Sequence, residues 1–308
     1  MLSQINGLHH VTSLASDARA NNAFFTDTLG LRRVKKTVNF DAPDVYHLYY
    51  GDETGSPGSV MTYFPFPGAR PGQRGAGEVG TTVFTIPQGA ASYWGERLGA
   101  RGVKASRETD DFGATRIGFA GPDGDLFALV EDGDDARTPW TGADVPEDAA
   151  IRGFHSASMR VQDRAATVEL LKFMGYDTVE TRGATTRMIV PDGTANVIDI
   201  EEHPTAPMAG QGAGSVHHIA FSVDNRARQL EVREALLDTG YQVTPVIDRD
   251  YFWAIYFRTP GGILFEVATN EPGFDRDEDT AHLGQALKLP SQHEYLRERL
   301  ERHLQPIE

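Results

Sequence analysis

Residues 8–17 read LHHVTSLASD, and residues 216–225 read VHHIAFSVDN. Both stretches alternate apolar and polar residues at period two, which is typical of a β-strand with one buried face. The same pattern occurs in GTTVFTIPQG at 80–89 and in FHSASMRVQD at 154–163. We therefore predict four strands of similar design, each at the start of a structural unit.

The remainder of each predicted unit is a short amphipathic segment followed by several strand-like runs. In the fourth unit, the segment at 228–241 predicts a helix with Leu230, Leu236 and Leu237 on one side. Three units share a hairpin turn of Pro, then Asp or Gly, then Gly. These turns lie within GPDGDLFALV at 121–130, VPDGTANVIDI at 190–200 and TPGGILFEVA at 259–268. The chain thus repeats a βαβββ unit four times, with a period of roughly 60–75 residues.

A βαβββ unit cannot bury its curved sheet alone. We therefore predict an α+β fold in which the four βαβββ units pair into two half-open barrels around clefts. The acidic, Gly- and Pro-rich stretch at 132–150 is interpreted as a linker. It divides an N-terminal half at 1–135 from a C-terminal half at 150–275, each with two units. A tail at 276–308 follows, with a helix predicted from about residue 291 that we expect to pack or to form a dimer surface.

The composition limits the classes of partner. The chain of 308 residues carries a formal net charge of -15, which argues against nucleic acid and anionic membranes because both require a basic surface. It has no cysteine, which excludes disulfides, thiolate catalysis and cysteine-ligated metal sites. It shows neither the pattern of a signal peptide nor an apolar run of the ~20 residues that span a membrane. We therefore expect a cytoplasmic protein.

The two histidine doublets indicate a metal site. Alternate residues of a strand share a face, so His10 and His218 can approach each other if the first strands of two units face across a cleft. The last hairpin adds Glu266, a single carboxylate in an apolar strand, which is either a ligand or a solvent-facing residue. Two imidazoles and one carboxylate suit Fe(II) and oxygen chemistry. They also suit Mn(II) and, less well, Zn(II).

His155 provides an alternative ligand, because it lies in the first strand of the third unit. If the third and fourth units pair, His155, His218 and Glu266 form the triad instead. Glu201 is then a candidate fourth ligand, and four ligands would be similar to a glyoxalase. The doublets at both 10 and 218, against a single histidine at 155, favour the pairing of the first and fourth units.

Several motifs together resemble the vicinal oxygen chelate superfamily, which contains glyoxalases and extradiol dioxygenases. The phrases LHHVTSLASD at 8–17, VKKTVNFDAPDVYHLYYGD at 34–52 and GSVMTYFPFPGARPG at 58–72 are similar to hydroquinone-type ring-cleaving dioxygenases, the 2,6-dichlorohydroquinone 1,2-dioxygenase family. The resemblance covers about residues 5 to 290. It implies that His10, His218 and Glu266 bind Fe(II) between the first and fourth units.

The resemblance also implies roles for residues around the metal. It implies that His217 or His9 is the acid–base group, that Arg249 stabilises an anion, and that further contacts come from Tyr256 and Thr12. A turn at 260–262 would place Tyr256 directly across from Glu266. Simpler interpretations stay open at each position. His9 and His217 could face solvent or the back of the barrel, Arg249 could be a surface charge, Tyr256 could belong to the core, and Thr12 could serve packing. His47 is expected to be structural.

The function implied by the resemblance is an Fe(II)-dependent dioxygenase that inserts both atoms of O2 into a hydroquinone-type para-diol, with Mn(II) as the alternative metal. The partners would be a small aromatic diol and O2, without nucleic acid or membrane. A homodimer or higher homo-oligomer is compatible with the acidic tail helix. Two other enzymes remain open, a metal-dependent glyoxalase-like lyase or isomerase and a catechol extradiol dioxygenase. The metal triad argues against a third option, a non-catalytic binder.

Overall fold

Four βαβββ units follow one another along the chain, in agreement with the repeat in the sequence. A computed structural model describes residues 1–191 and 193–308. The first unit comprises β1 (Leu8–Ala15), α1 (Ala18–Ala23), β2 (Arg32–Val38), β3 (Tyr46–Gly51) and β4 (Val60–Pro65). The second comprises β5 (Glu78–Ile86), α2 (Ala91–Ala100), β6 (Ala105–Thr109), β7 (Thr115–Ala120) and β8 (Leu126–Glu131). A π-helical turn at Phe24–Thr28 extends α1.

The second half repeats this order. The third unit comprises β9 (Gly153–Val161), α3 (Ala165–Phe173), β10 (Asp177–Arg182), β11 (Thr185–Ile189) and β12 (Val197–Glu202). The fourth comprises β13 (Val216–Val223), α4 (Arg226–Asp238), β14 (Ile247–Asp248), β15 (Phe252–Arg258) and β16 (Leu264–Pro272). The predicted Pro-Asp-Gly turn of the third unit includes Asp192, which lies outside the described residues. None of the helices within 1–191 and 193–308 is long and apolar enough to cross a membrane.

Within these ranges the strands form two curled, eight-stranded sheets. One sheet has the order β14-β15-β16-β13-β1-β4-β3-β2, and the other has the order β10-β11-β12-β9-β5-β8-β7-β6. The first and fourth units therefore form one half-open barrel, the first barrel, and the second and third units form the second barrel. The predicted fold class is confirmed. Each sheet draws one unit from each half of the chain, and the division into domains at 1–135 and 150–275 stays a prediction.

The helix α4 buries a different face from the one that the leucine pattern suggests. Leu236 is fully buried, but Leu230 is 47% exposed and Leu237 is 41% exposed. The buried positions are Gln229, Val232 and Leu236. Gln229 is buried because its amide donates to the backbone carbonyls of residues 253 and 267, at 2.7 and 2.8 Å. A polar residue whose amide nitrogen makes two hydrogen bonds has thus taken a core position, although its amide oxygen has no partner among the described residues.

The tail packs against the outer strands of the first barrel. A 3-10 helix at Ser291–Leu296 precedes α5 (Arg297–His303), so the predicted tail helix is α-helical only in its second part. Leu300 is buried with Val38 of β2. Lys35 on β2 is fully buried and binds two carboxylates of the tail, Asp277 at 2.7 Å and Glu278 at 2.5 Å. The tail therefore contributes to the core and supplies charge partners to the sheet.

The two barrels share one continuous apolar core. A polar contact also joins them, because the Tyr63 hydroxyl on β4 donates to the buried Asp125 carboxylate in the turn before β8. Burial raises the pKa of Asp125 to about 6. This carboxyl group consequently favours its protonated form more than an exposed aspartate does.

Candidate metal centre

Each histidine doublet lies at a β-bulge between β1 and β13. The pairing of these two antiparallel strands shifts at two places, and His9 and His217 are the extra residues there. A bulge places two consecutive residues opposite one partner and turns their side chains from strict alternation. His9 Nδ1 lies 2.9 Å from His10 Nδ1, and His217 Nδ1 lies 2.7 Å from His218 Nδ1. The first histidine of each doublet is therefore in contact with the second.

The structure brings His10, His218 and Glu266 together in the cleft of the first barrel. All three side chains are buried, with ligand atoms within 4.8 Å of one another. The Nε2 atoms of His10 and His218 are 3.3 Å apart and lie 3.4 and 2.8 Å from Glu266 Oε2. Neither of the two histidine contacts to Glu266 has hydrogen-bond geometry. Both carboxylate oxygens of Glu266 are therefore buried without a hydrogen-bond donor among the described residues.

The protonation states of these groups suit a cation. Burial raises the pKa of Glu266, but His10 and His218 outweigh it and hold that pKa well below its usual range. Burial also lowers the pKa of His218. An ionised carboxylate and a neutral imidazole are the forms that coordinate metal ions. Two imidazole nitrogens and one carboxylate, with the carboxylate otherwise unpartnered, fit a divalent ion such as Fe(II) or Mn(II).

Tyr256 and Arg249 lie on the other side of Glu266. In the pairing of β15 with β16, Tyr256 is directly across from Glu266, as the predicted turn requires. Arg249 Nε donates to the Tyr256 hydroxyl at 3.3 Å, and Arg249 Nη1 lies 3.6 Å from the Asp41 carboxylate. Burial and the charge of Glu266 raise the pKa of Tyr256 well above its usual value, so the residue keeps its hydroxyl hydrogen.

His9 and Thr12 are fully enclosed by protein. His9 Nε2 lies 3.2 Å from the carbonyl oxygen of Thr269, so both ring nitrogens have partners. Thr12 pairs with His218 across the two central strands, and its hydroxyl lies 2.9 Å from that of Thr62. Both residues contact the metal-site side chains or their strand neighbours, and neither lines the cleft.

The triad lines a cavity of about 480 Å³. Aromatic side chains supply much of its wall, namely Phe40, Phe64, Phe66 and Phe252. Arg249, Tyr256 and His217 are also exposed to this space. His47 and Tyr49 on β3 line it as well, although His47 was expected to be structural. Their spacing of two residues places them on one face of β3, and this spacing was the sequence signal that could have identified them as cavity residues.

His155 lies in the second barrel and is not part of the converging group. There Asp199 on β12 has the position that Glu266 has on β16, and its partner across the hairpin is Arg187. Arg187 binds Asp199 through two hydrogen bonds of 2.8 and 2.7 Å, and it reaches Asp110 at 2.9 Å. Glu201, the candidate fourth ligand, lies 3.4 Å from His203 in the same barrel.

Comparison with known proteins establishes the family. The model of the glyoxalase/bleomycin resistance protein/dioxygenase superfamily matches residues 7–129 and 129–267. The chain belongs to this superfamily. A Bacillus subtilis (strain 168) protein named "Putative ring-cleaving dioxygenase MhqO" is 41% identical, and the match covers 100% of this chain and 98% of that protein.

Two further proteins are similar over almost the whole chain. The chlorohydroquinone/hydroquinone 1,2-dioxygenase of Sphingobium indicum is 36% identical, with 96% of this chain and 95% of that protein covered. A crystal structure of a Bacillus subtilis protein, titled as a putative dioxygenase, is 40% identical with a TM-score of 0.95. It covers 99% of this chain and 98% of that one.

Proposed function

We propose that this superfamily member is an Fe(II)-dependent ring-cleaving dioxygenase that acts on hydroquinone-type para-diols, with Mn(II) as the alternative metal. One observation carries the proposal: an otherwise unpartnered Glu266, whose pKa is held well below its usual range, and two histidines meet in the lining of a cavity walled by aromatic rings. The names of the Bacillus subtilis and Sphingobium indicum relatives support this choice of reaction and substrate class.

His10, His218 and Glu266 would hold the metal. A bound Fe(II) supplies the one-electron chemistry that allows dioxygen to react with an aromatic ring. In the overall reaction, a carbon–carbon bond beside a hydroxyl-bearing carbon breaks, and both atoms of one O2 molecule enter the product. The aromatic wall of the cavity orients the ring and keeps bulk water away from it.

The first histidine of each doublet fixes the tautomer of the second. If His218 binds metal through Nε2, its Nδ1 carries the hydrogen and donates it to His217 Nδ1. By the same argument, His10 Nδ1 donates to His9 Nδ1, and His9 then donates from Nε2 to the carbonyl of Thr269. His9 is therefore fully committed to orienting His10.

His217 differs from His9 because it reaches the cavity. Its Nδ1 accepts from His218, and no hydrogen bond from the described residues reaches its Nε2. Nε2 consequently carries the hydrogen and can donate a hydrogen bond to a substrate oxygen in the cavity. We assign this hydrogen bond to substrate to His217 and an orienting role to His9; acid–base action by His217 would first require its Nδ1 to be released from His218.

Arg249 and Tyr256 supply positive charge and a hydrogen-bond donor on the opposite side. Burial lowers the pKa of Arg249, but the neighbouring Tyr256, Glu266 and Asp41 raise it overall, so the guanidinium stays charged. A fixed cation beside the cavity stabilises a phenolate that forms when the diol loses its proton. The Arg249 hydrogen bond holds the Tyr256 hydroxyl in place over Glu266.

Isotope labelling tests the proposed reaction. Fe(II)-loaded protein would be given hydroquinone under 18O2, and the product analysed by mass spectrometry. A ring-opened product with two labelled oxygen atoms is expected. Unlabelled benzoquinone would show simple oxidation, and an unchanged diol would reject the proposal and direct attention to glyoxalase-type substrates. Catechol in parallel distinguishes a para-diol enzyme from a catechol extradiol enzyme.

A further inference from the structure

A pair of polar side chains on β3, His47 and Tyr49, lines the cavity without any part in the metal centre. The Tyr49 hydroxyl lies 2.8 Å from His47 Nδ1, and His47 Nε2 lies 2.8 Å from the Thr62 hydroxyl. Thr62 in turn lies 2.9 Å from Thr12. These contacts form one buried hydrogen-bonded chain that ends at the cavity with Tyr49.

The chain leaves Tyr49 with unused hydrogen-bonding capacity. Burial raises the pKa of Tyr49 and lowers the pKa of His47, so both side chains are neutral near pH 7. A neutral imidazole donates at one ring nitrogen and accepts at the other. Tyr49 therefore either donates to His47 and presents an acceptor oxygen, or accepts from His47 and presents its hydrogen. In both cases it can bind one hydroxyl group of a ligand.

Tyr49 stands at a distance from the metal triad that suits the far end of an aromatic ring. Strand pairing places Tyr49 on β3, Thr62 on β4, Thr12 on β1 and His218 on β13 in one row across the sheet. Three strand spacings separate the ends of this row, about 14 Å between Cα atoms. Tyr49 and His218 both line the cleft, so we infer that a single ring with oxygens at opposite ends can lie between them.

We propose that Tyr49, held by His47, binds the second hydroxyl of a para-diol and thereby sets the specificity of the site. The inference rests on the proposed function and takes the first hydroxyl to lie at the metal triad. A catechol places its second oxygen beside the first, where Tyr49 cannot reach it. A phenol offers no second oxygen and leaves the Tyr49 hydroxyl without its ligand. The cost of an unmade hydrogen bond therefore selects for para-diols.

Equilibrium binding without oxygen tests this role separately from turnover. Protein loaded anaerobically with Fe(II) would be titrated with hydroquinone and with phenol by calorimetry. We expect wild-type protein to bind hydroquinone about tenfold more tightly than phenol. In Tyr49→Phe this preference should fall to about twofold or less, because the variant lacks the hydroxyl that binds the second oxygen. The ring and its packing against Phe274, with centroids 5.0 Å apart, remain.

Tyr50→Phe is the matched control. Tyr50 is the next residue on β3, and its buried hydroxyl has no hydrogen-bond partner among the described residues. It does not line the cavity. Tyr50→Phe should keep the wild-type preference. Equal preferences in Tyr49→Phe and Tyr50→Phe would overturn the inference, as would wild-type protein that does not discriminate between the two ligands. Failure of the proposed function would appear instead as absent oxygen uptake by wild-type protein.

Discussion

The two barrels carry different residue pairs at the same position of the repeat. In the first barrel, Tyr256 stands across from Glu266, and in the second, Arg187 stands across from Asp199. Arg187 supplies the positive charge that the second carboxylate needs, with contacts of 2.8 and 2.7 Å. Tyr256 is neutral and leaves the first carboxylate dependent on another cation. The comparison teaches that the residue across the hairpin closes the second carboxylate into an ion pair and leaves the first open to a metal, which the two histidines of the first barrel can also bind.

Removing the carboxylate of the first barrel should have the largest effect. We expect Glu266→Gln to lower Fe(II) affinity by at least about a hundredfold. Loss of a residue that only hydrogen-bonds to a metal ligand already lowers metal affinity by about 10- to 100-fold, and loss of the ligand itself should cost at least as much. Calorimetric titration with Fe(II) under anaerobic conditions measures this. Asp199→Asn at the equivalent position should bind Fe(II) as the wild type does. An equal loss of Fe(II) affinity in Glu266→Gln and Asp199→Asn would contradict the assignment of metal binding to the first barrel alone.

Removing the cation of the second barrel should reduce stability without affecting metal binding. Arg187→Ala leaves Asp110 and Asp199 facing each other, with side chains only 10% and 11% exposed. We expect the free energy of unfolding to fall by about 2–3 kcal/mol, less than for a fully buried pair. Urea denaturation measures the change. The control Arg182→Ala removes an arginine that is 49% exposed and should cost less than about 1 kcal/mol.

The burial of Asp125 should make stability depend on pH. The folded-state pKa of Asp125, about 6, lies above the ordinary aspartate value, so its stabilising contribution is present at low pH and is lost as pH rises through about 6. Relative to Asp125→Asn, wild-type protein should lose roughly 2 kcal/mol of stability between pH 4 and pH 7. Denaturation curves at both pH values measure the difference. The control Asp134→Asn changes an exposed residue, so its free energy of unfolding should depend on pH as that of wild type does. The same pH dependence in Asp125→Asn and wild type would contradict the prediction.

The smallest effect is expected from the residue across the hairpin in the first barrel. Tyr256→Phe removes the hydroxyl that accepts from Arg249 but leaves all three metal-binding candidates. We expect kcat for hydroquinone cleavage to fall about tenfold, with Fe(II) affinity unchanged. Steady-state oxygen uptake and a parallel Fe(II) titration separate the two quantities. A matching fall in Fe(II) affinity would mean that Tyr256 supports the metal centre itself.

The repeat and the register of the last hairpin could be predicted because they depend on local patterns. Period-two strands and Pro-Gly turns indicated four βαβββ units, and the turn at 260–262 placed Tyr256 across from Glu266. Which units share a sheet could not be derived from such patterns, since it depends on contacts distant in the chain. Only the doublets, and the resemblance, favoured the first and fourth units.

Other features of the site were not accessible from alternation. Strict alternation predicts that His9 and His217 point to the opposite face from His10 and His218. The bulges instead bring both side chains into contact with the metal site. A bulge depends on how two strands pair and has no signal in one strand alone. The leucines of α4 were misleading for a related reason, because the two backbone carbonyls that accept from Gln229 belong to β15 and β16. The Arg187–Asp199 pair was missed, although the two residues stand directly across a hairpin as Tyr256 and Glu266 do.

Oxygen uptake tests the central claim most directly. Protein loaded anaerobically with Fe(II) would be mixed with oxygenated hydroquinone, methylhydroquinone or catechol, beside His218→Ala and Asp199→Asn. Uptake that requires Fe(II), prefers a para-diol, disappears in His218→Ala and persists in Asp199→Asn is the predicted result. Stoichiometrically bound Fe(II) without uptake for any diol would contradict the claim that the first barrel is a ring-cleaving active site.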